Sequence, residues 1–410
     1  MKKQPIILAS ILLILSAFLL SSCASSSSVT SSVSWPGIAS DGETVYAASG
    51  QFIYAIKDGN LVWQYPAAAD RKITYYAAPA VSDDRVFAAT YSNKINILKK
   101  DSGELIQTVA VGSDSIKIIA SPVIDGDKLI VASGDGTITL YKMDDFSAPV
   151  WTAKLSGEIW TNPVSADGKI FAAAMDKKIN ELDMATGEII KTWSTDGASM
   201  SGIVYANKMI YFSTLSKEVI ALDPQSGELK ILFKTDSEIW ASPLALEDRI
   251  IIGDMSGAIY CHDILNGGEL WKINAPAENK SAFVASPMEF SDKTFAMITE
   301  AGDISIYDTA GKSVQDRSAK YRILSTPVMA GGNIVTAFVE GDNLLTAFDS
   351  GLKEQWSYAA KTVSKSSGTA QNSTSAVTEA PTAENTAAVA DQPTSEGTSA
   401  VSATAESKGE

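Results

Sequence analysis

Apolar residues in this chain come in short runs broken by Asp-Gly, Ser-Asp and Gly-Asp pairs. The stretch after Ser121 shows the rhythm. Pro122-Val-Ile124 precedes the turn Asp125-Gly126, and Lys128-Leu-Ile-Val-Ala132 follows. Gly134-Asp-Gly136 turns the chain again, then come Thr137-Ile-Thr-Leu-Tyr141 and a segment ending in Pro149-Val-Trp151. β-branched and aromatic runs separated by such turns predict consecutive hairpins. The unit then repeats. Glu238-Ile-Trp-Ala-Ser-Pro243 has a near-copy in Glu158-Ile-Trp-Thr-Asn-Pro163, with looser copies at Tyr76-Ala-Ala-Pro79, Ile119-Ala-Ser-Pro122, Val284-Ala-Ser-Pro287 and Leu324-Ser-Thr-Pro327. Aligned on the proline, the repeats are anchored at Pro36, Pro79, Pro122, Pro163, Gly202, Pro243, Pro287 and Pro327, spaced 39 to 44 residues apart. Gly202 stands where proline is expected. Four strands in about 40 residues is one propeller blade. The expectation is an all-β, eight-bladed β-propeller of four-stranded antiparallel blades over residues 34–360.

The last turn of each unit carries a second beat. Leu182-Asp183-Met-Ala-Thr-Gly187 and Ala221-Leu-Asp223-Pro-Gln-Ser-Gly227 share Asp-x-x-(Ser/Thr)-Gly, and Asp263, Gly267 and Trp271 extend it to a following tryptophan. The aspartate is suited to bond the turn amides and the glycine to take positive φ. The eight tryptophans divide cleanly on this scheme. Trp63, Trp151, Trp193, Trp271 and Trp356 fall on outer strands, where a large flat ring packs between blades. Trp35, Trp160 and Trp240 stand just before inner strands.

The flanks read differently. Lys2-Lys3, an apolar stretch from Ile6 to Leu20, and Leu20-Ser-Ser-Cys23 predict a lipoprotein signal peptide over residues 1–22, with Cys23 the lipidated residue. Several acyl chains at about 0.8 kcal/mol per buried CH₂ make such an anchor stable. Residues 23–33 read as a Ser-rich flexible tether, and residues 361–410 as a disordered Ser/Thr/Ala/Glu-rich tail with too little apolar surface to fold. Only one further cysteine exists, Cys261 in an apolar run, so a buried inert thiol is expected. Net charge is −15; setting aside Lys2, Lys3 and the net −3 of the tail leaves −14 on the body. That balance argues against nucleic acid or anionic lipid as a general partner.

The pattern Ala-x-Asp-x-x-(Thr/Ser)-Gly-x-x-x-Trp resembles the tryptophan-docking repeat of PQQ-type β-propellers. Blade 2 departs from it, with Lys99 at the Asp position and Gln107 at the Trp position, and blade 7 is shortened around Asp308-Thr-Ala-Gly311. Eight such blades behind a lipobox are similar to the propeller lipoproteins of the outer-membrane β-barrel assembly machinery. That resemblance implies a non-catalytic scaffold whose partner-contacting acids stand shortly before the (Ser/Thr)-Pro opening a blade, as Glu158 and Glu238 do here. The family's Leu-x-Leu-Arg loop has no counterpart in this chain, and the Ser/Thr-rich tail lies outside the family's pattern.

Quinone dehydrogenases use the same repeat, and the resemblance to them implies a quinone held between a Trp and a Cys-Cys disulfide. No Cys-Cys pair is present, the chain is about half the expected length, and the sugar-oxidising type uses His and Arg where this chain has one histidine. His262 beside Cys261 suggests a metal pair, but neighbouring strand residues point to opposite faces and zinc takes four ligands. His262 therefore reads as a strand-end residue on a blade surface. Asp125-Gly-Asp127 lacks the later Glu of an EF-hand loop. No catalytic, metal-binding or cofactor-binding residue is expected, and no cofactor.

What remains is the face carrying the loops into the inner strands. Five residues before each anchor stand Thr74, Lys117, Glu158, Gly197, Glu238, Ala282 and Arg322; three before stand Tyr76, Ile119, Trp160, Trp240, Val284 and Leu324. Period-2 alternation puts the two sets on one side. A ring of mixed charge with Trp and Tyr suits a protein partner; a glycan stacking on the rings, or side chains that merely plug the channel, are the alternatives. The candidates are Glu158, Trp160, Glu238, Trp240, Lys117, Arg322 and Tyr76. The expected protein is a monomeric, lipid-anchored, extracytoplasmic scaffold, at the outer membrane where the cell has one.

Overall fold

A computed structural model describes residues 35–113, 115–274, 281–291 and 293–360. The signal, Cys23, the tether and the tail lie outside the described residues. Eight four-stranded sheets follow one another, each an antiparallel meander whose strands neighbour in chain order. In blade 4 the strands are Val164–Ala166, Lys169–Ala174, Lys178–Asp183 and Ile189–Ser194. Neighbouring first strands approach one another at most of the seams, including that between blades 8 and 1, so they line the axis of a closed ring. The middle two strands are buried on both faces, as in Lys169–Ala174, because each blade is sandwiched between two others. Small residues such as Ala172 and Ala173 let the blades converge near the axis. Fourth strands face solvent; most of Ile189–Ser194 is exposed.

The seams are locked at the rim. Trp63 Nε1 donates to Lys100 O at 2.8 Å, Trp151 to Met184 O at 3.0 Å, Trp193 to Gly227 O at 2.9 Å and Trp271 to Thr309 O at 3.0 Å, each reaching the last turn of the next blade. Trp151 opens its outer strand, Trp151–Lys154, where the sequence suggested that it ends one. The turn that receives each ring is built as its sequence implies: Asp183 Oδ1 accepts from the amides of Ala185 and Thr186 at 2.9 and 2.8 Å. Gly187 there has φ +73°, and a Cβ would lie 2.5 Å from the Trp151 ring. Where tryptophan is missing, other groups take over. Phe233 of blade 5 stacks on His262 of blade 6, and Arg317 of blade 7 donates to Leu352 O at 2.8 Å.

His262 is thus not on a blade surface. It is 6 % exposed, with its ring 3.6 Å from that of Phe233 and Nδ1 2.9 Å from Gly267 O. Cys261 faces the other seam, among Ile251, Phe283 and Phe295, and burial pushes its thiol up to about 12. The two side chains do point to opposite faces of the strand, and both faces are packed against neighbouring blades.

Candidate functional site

The described loops entering blades 2 to 8 lie outside the named strands, with Tyr75 bridging Gly50 and Thr90 in blade 2. One backbone bond recurs among them: the carbonyl five residues before the proline accepts from the turn between the second and third strands of the same blade. Tyr91 N donates to Thr74 O, Gly134 N to Lys117 O, Met175 N to Glu158 O, Met255 N to Glu238 O and Val339 N to Arg322 O, at 2.7 to 3.0 Å. In blade 5 the donor Leu215 N reaches Ala198 O, not Gly197. The equivalent of the proline is therefore Ile203, midway between Pro163 and Pro243, and the alignment on Gly202 was one residue out. Ile203 is buried like the prolines it replaces. Met200 then takes the place of Trp160.

The carbonyl anchor makes the loops alternate without a ladder. Ile118, Ile159, Ile239 and Ile323 point inward and are wholly buried, while the residues flanking them face out. Side chains just before the prolines link neighbouring blades around the axis: Ser121 N donates to Asn162 Oδ1 at 2.7 Å, Ser242 N to Ser286 Oγ at 2.9 Å and Ser286 N to Thr326 Oγ1 at 3.1 Å. The outward residues therefore stand on a rigid hoop at one end of the channel.

The seven candidates fall into three groups. Glu158 and Trp160 form a unit, with Trp160 Nε1 donating to Glu158 Oε2 at 3.0 Å. Glu238 and Trp240 repeat it two blades on, without that bond. Glu238 instead accepts from Ser237 Oγ at 3.0 Å, and its own backbone amide, with that hydroxyl, holds its carboxyl below the ordinary range. Beneath Trp240, Ser213 Oγ donates to Ala241 O at 2.9 Å and fixes the backbone. Trp160 and Trp240 are 39 % and 37 % exposed. Between the two units, blade 5 has Ala198 and Met200 at the corresponding loop positions, and its Lys217 donates to Asp236 O at 3.0 Å beside Glu238.

Tyr76 and Lys117 form the second group through a residue sequence reasoning missed. Tyr91 packs on Tyr76 with ring centroids 4.8 Å apart, and Lys117 Nζ lies 4.5 Å over the Tyr91 ring. Tyr91 sits in the turn that donates to Thr74 O, so its position followed from the anchoring bond and not from any repeat of sequence. Arg322, on blade 8, lies across the ring from blade 4 and is ion-paired to Glu300, another residue the sequence did not mark. Over blades 4 to 6 the face carries Glu158 and Glu238 with their indoles, accompanied by Lys178 and Lys217, and at blades 2 and 3 it carries Lys117 with two tyrosines. Among the described residues no cluster of three or more His, Cys, Asp or Glu is placed to hold a metal ion.

With this geometry in view, relatives can be placed. A family profile described as outer membrane protein assembly factor BamB matches residues 21–145, 94–229, 191–319 and 255–405. The chain belongs to that family. A curated relative, outer membrane protein assembly factor BamB of Moranella endobia, is 24 % identical over 283 residues, covering 64 % of this chain and 69 % of its own. The crystal structure of BamB from Moraxella catarrhalis superposes with a TM-score of 0.61 at 19 % identity, over 74 % of this chain and 91 % of that one. Quinohemoprotein alcohol dehydrogenase from Comamonas testosteroni also superposes, with a TM-score of 0.60 at 12 % identity over 74 % and 70 % of the two chains. At such identity these structures establish the shared propeller fold alone.

Proposed function

We propose that the chain is a non-catalytic scaffold in outer-membrane protein assembly, binding a protein partner through the face that holds Glu158, Trp160, Glu238 and Trp240. The observation that carries this reading is the pair of Glu-Ile-Trp loops, held on a rigid hoop with both indoles half-exposed. Membership of the family supports the assembly role. Rigid aromatic anchors beside carboxylates, rimmed by other polar groups, are what concentrate binding energy at an interface. Lys117 with Tyr76, and Arg322, would contact the partner's outlying parts. In this reading residues 1–22 are the signal, Cys23 carries lipid, residues 23–33 are the tether, and a monomeric propeller over 34–360 works outside the cytoplasm.

The test is affinity capture from cells with all four of Glu158, Trp160, Glu238 and Trp240 changed to Ala. The variant should fold, lose its envelope partners and stay with the membrane fraction, whereas Cys23→Ala should release the protein from it. Retention of every partner by the folded fourfold variant would sink the face. The exposed indole rings also favour a second reading, pyranose stacking, for which binding on a glycan array that Trp160→Ala and Trp240→Ala abolish is the discriminating result.

A further inference from the structure

The seam between blades 2 and 3 has no tryptophan at its rim. Gln107 occupies in blade 2 the register that Trp271 occupies in blade 6: Gln107 pairs with Ile97 as Trp271 pairs with Cys261. In blade 6 both Arg249 and Trp271 donate to Thr309 O. In blade 2 Arg85 reaches the equivalent Met143 O, but Gln107 is exposed and bonds to nothing among the described residues. Phe146, from the last turn of blade 3, closes the inner part of the seam against Phe87 and Tyr141, at centroid distances of 5.9 and 5.7 Å. The outer part stays open as a groove of about 1050 Å³ across blades 1 to 3, on the end of the propeller opposite the Glu-Ile-Trp loops.

Its lining has a definite chemistry. Trp63, Ile106 and Phe146 give it apolar walls. Each of its four cations is already paired: Lys57 with Glu43 at 2.6 Å, Arg85 with Asp84 at 3.1 Å, Lys99 with Glu104 at 2.7 Å and Lys100 with Asp41 at 2.9 Å. Asp83, Asp101, Asp144 and Asp145 also line it, and among the described residues they form no ion pair. The surplus charge in the groove is negative, and low-dielectric walls concentrate such a field.

We propose that this groove binds an extended peptide segment in which a large apolar or aromatic side chain is followed closely by lysine or arginine. The apolar group fills the place where a blade-2 indole would lie, and the base meets Asp83, Asp101 and Asp144. The volume lies at the upper end of the range for ligand pockets, and charge complementarity is what points to a basic segment. The site is independent of the face assigned above, lying at the other end of the ring.

The probe is a fluorescein-labelled octapeptide containing Trp-Arg-Leu-Lys, with a control carrying Glu at both basic positions, followed by fluorescence anisotropy on the whole propeller. The basic peptide should bind, more weakly as salt rises, and the acidic control should not. Gln107→Trp, which completes the repeat, should raise the melting temperature and weaken binding by about tenfold or more. The combined change of Asp83, Asp101 and Asp144 to Asn should weaken binding and remove its salt dependence. Trp160→Ala with Trp240→Ala should leave it unchanged. Equal binding of the acidic control, no binding of either peptide, indifference to Gln107→Trp, or loss on changing the two loop tryptophans would each overturn the proposal.

Discussion

Single residues in this protein take their properties from the seam they face. His262 is the clearest case. Burial lowers its pKa from 6.5, outweighing the Gly267 carbonyl at Nδ1 and the more distant Glu269, both of which favour the proton. Among the described residues its Nε2 has no hydrogen-bond partner, and its ring lies flat on Phe233. A base with a depressed folded pKa keeps its full contribution above the unfolded value. As pH falls below about 6.5 the unfolded chain takes the proton first, so stability declines until the folded value is passed. Thermal unfolding should therefore show a melting temperature that drops between pH 7 and pH 5. His262→Phe, which keeps the stack, should flatten that drop, and an unchanged slope would mean other groups cause it. Sequence reasoning placed this side chain on the correct side of its strand yet on the wrong surface, because alternation says nothing about what covers each side.

At the scale of the element, the last turn of each blade is both hairpin and socket. Gly187 serves two purposes there, positive φ and contact with the Trp151 ring. Gly126, in a turn between first and second strands, serves one: φ is +57° and a Cβ would meet nothing within 4 Å. Gly126→Ala should cost about 1–2 kcal/mol from backbone strain alone. Gly187→Ala adds displacement of the indole and should cost about 2–4 kcal/mol in all. Denaturant midpoints of the two variants measure the difference, and equal losses would show that the socket is not tightly filled. The Asp-x-x-(Ser/Thr)-Gly signature was readable from the chain because it is local: aspartate to amide, two and three residues on. The loops into the inner strands were harder to align where proline is absent. Ile203 performs proline's packing without its ring, and only the Leu215-to-Ala198 hydrogen bond reveals the register.

The described residues form a ring, and its closing seam is packed by Trp356, which among them makes no indole hydrogen bond of the kind made by Trp63, Trp151, Trp193 and Trp271. Blade 8 has four strands of its own, and the Trp356 Cβ would lie 2.9 Å from a Cβ on Gly59 of blade 1. Gly331 N donates to Gly42 O at 2.8 Å across the same seam. A ring closed this way should unfold as a unit. Trp356→Ala should then cost about 3–5 kcal/mol, like Trp151→Ala, with one calorimetric transition in both. A separate early transition in the Trp356 variant alone would show that blade 8 frays independently. Closure also decides the surface. It gathers residues from blades 4 and 6 onto one end, and leaves the seam between blades 2 and 3, with no tryptophan at its rim, open at the other.

The fold was written in the chain because each of its determinants is short-range and repeated. Apolar runs, Asp-Gly turns and an outer tryptophan recur at one spacing, and eightfold repetition makes the period stronger than any single blade. The departures from symmetry, Glu158 and Glu238 with their tryptophans and Gln107 in a tryptophan's place, were equally visible as letters. Where they stand and what they touch was decided only by tertiary structure, since it depends on contacts between residues about 40 positions apart. The carbonyl anchors turn the two Glu-Ile-Trp loops outward, and Tyr91 joins Tyr76 to Lys117 across blades. Phe146 reaches back into a seam that Gln107 leaves unfilled. Side-chain direction and seam packing arise from neighbouring blades, which a local pattern does not encode.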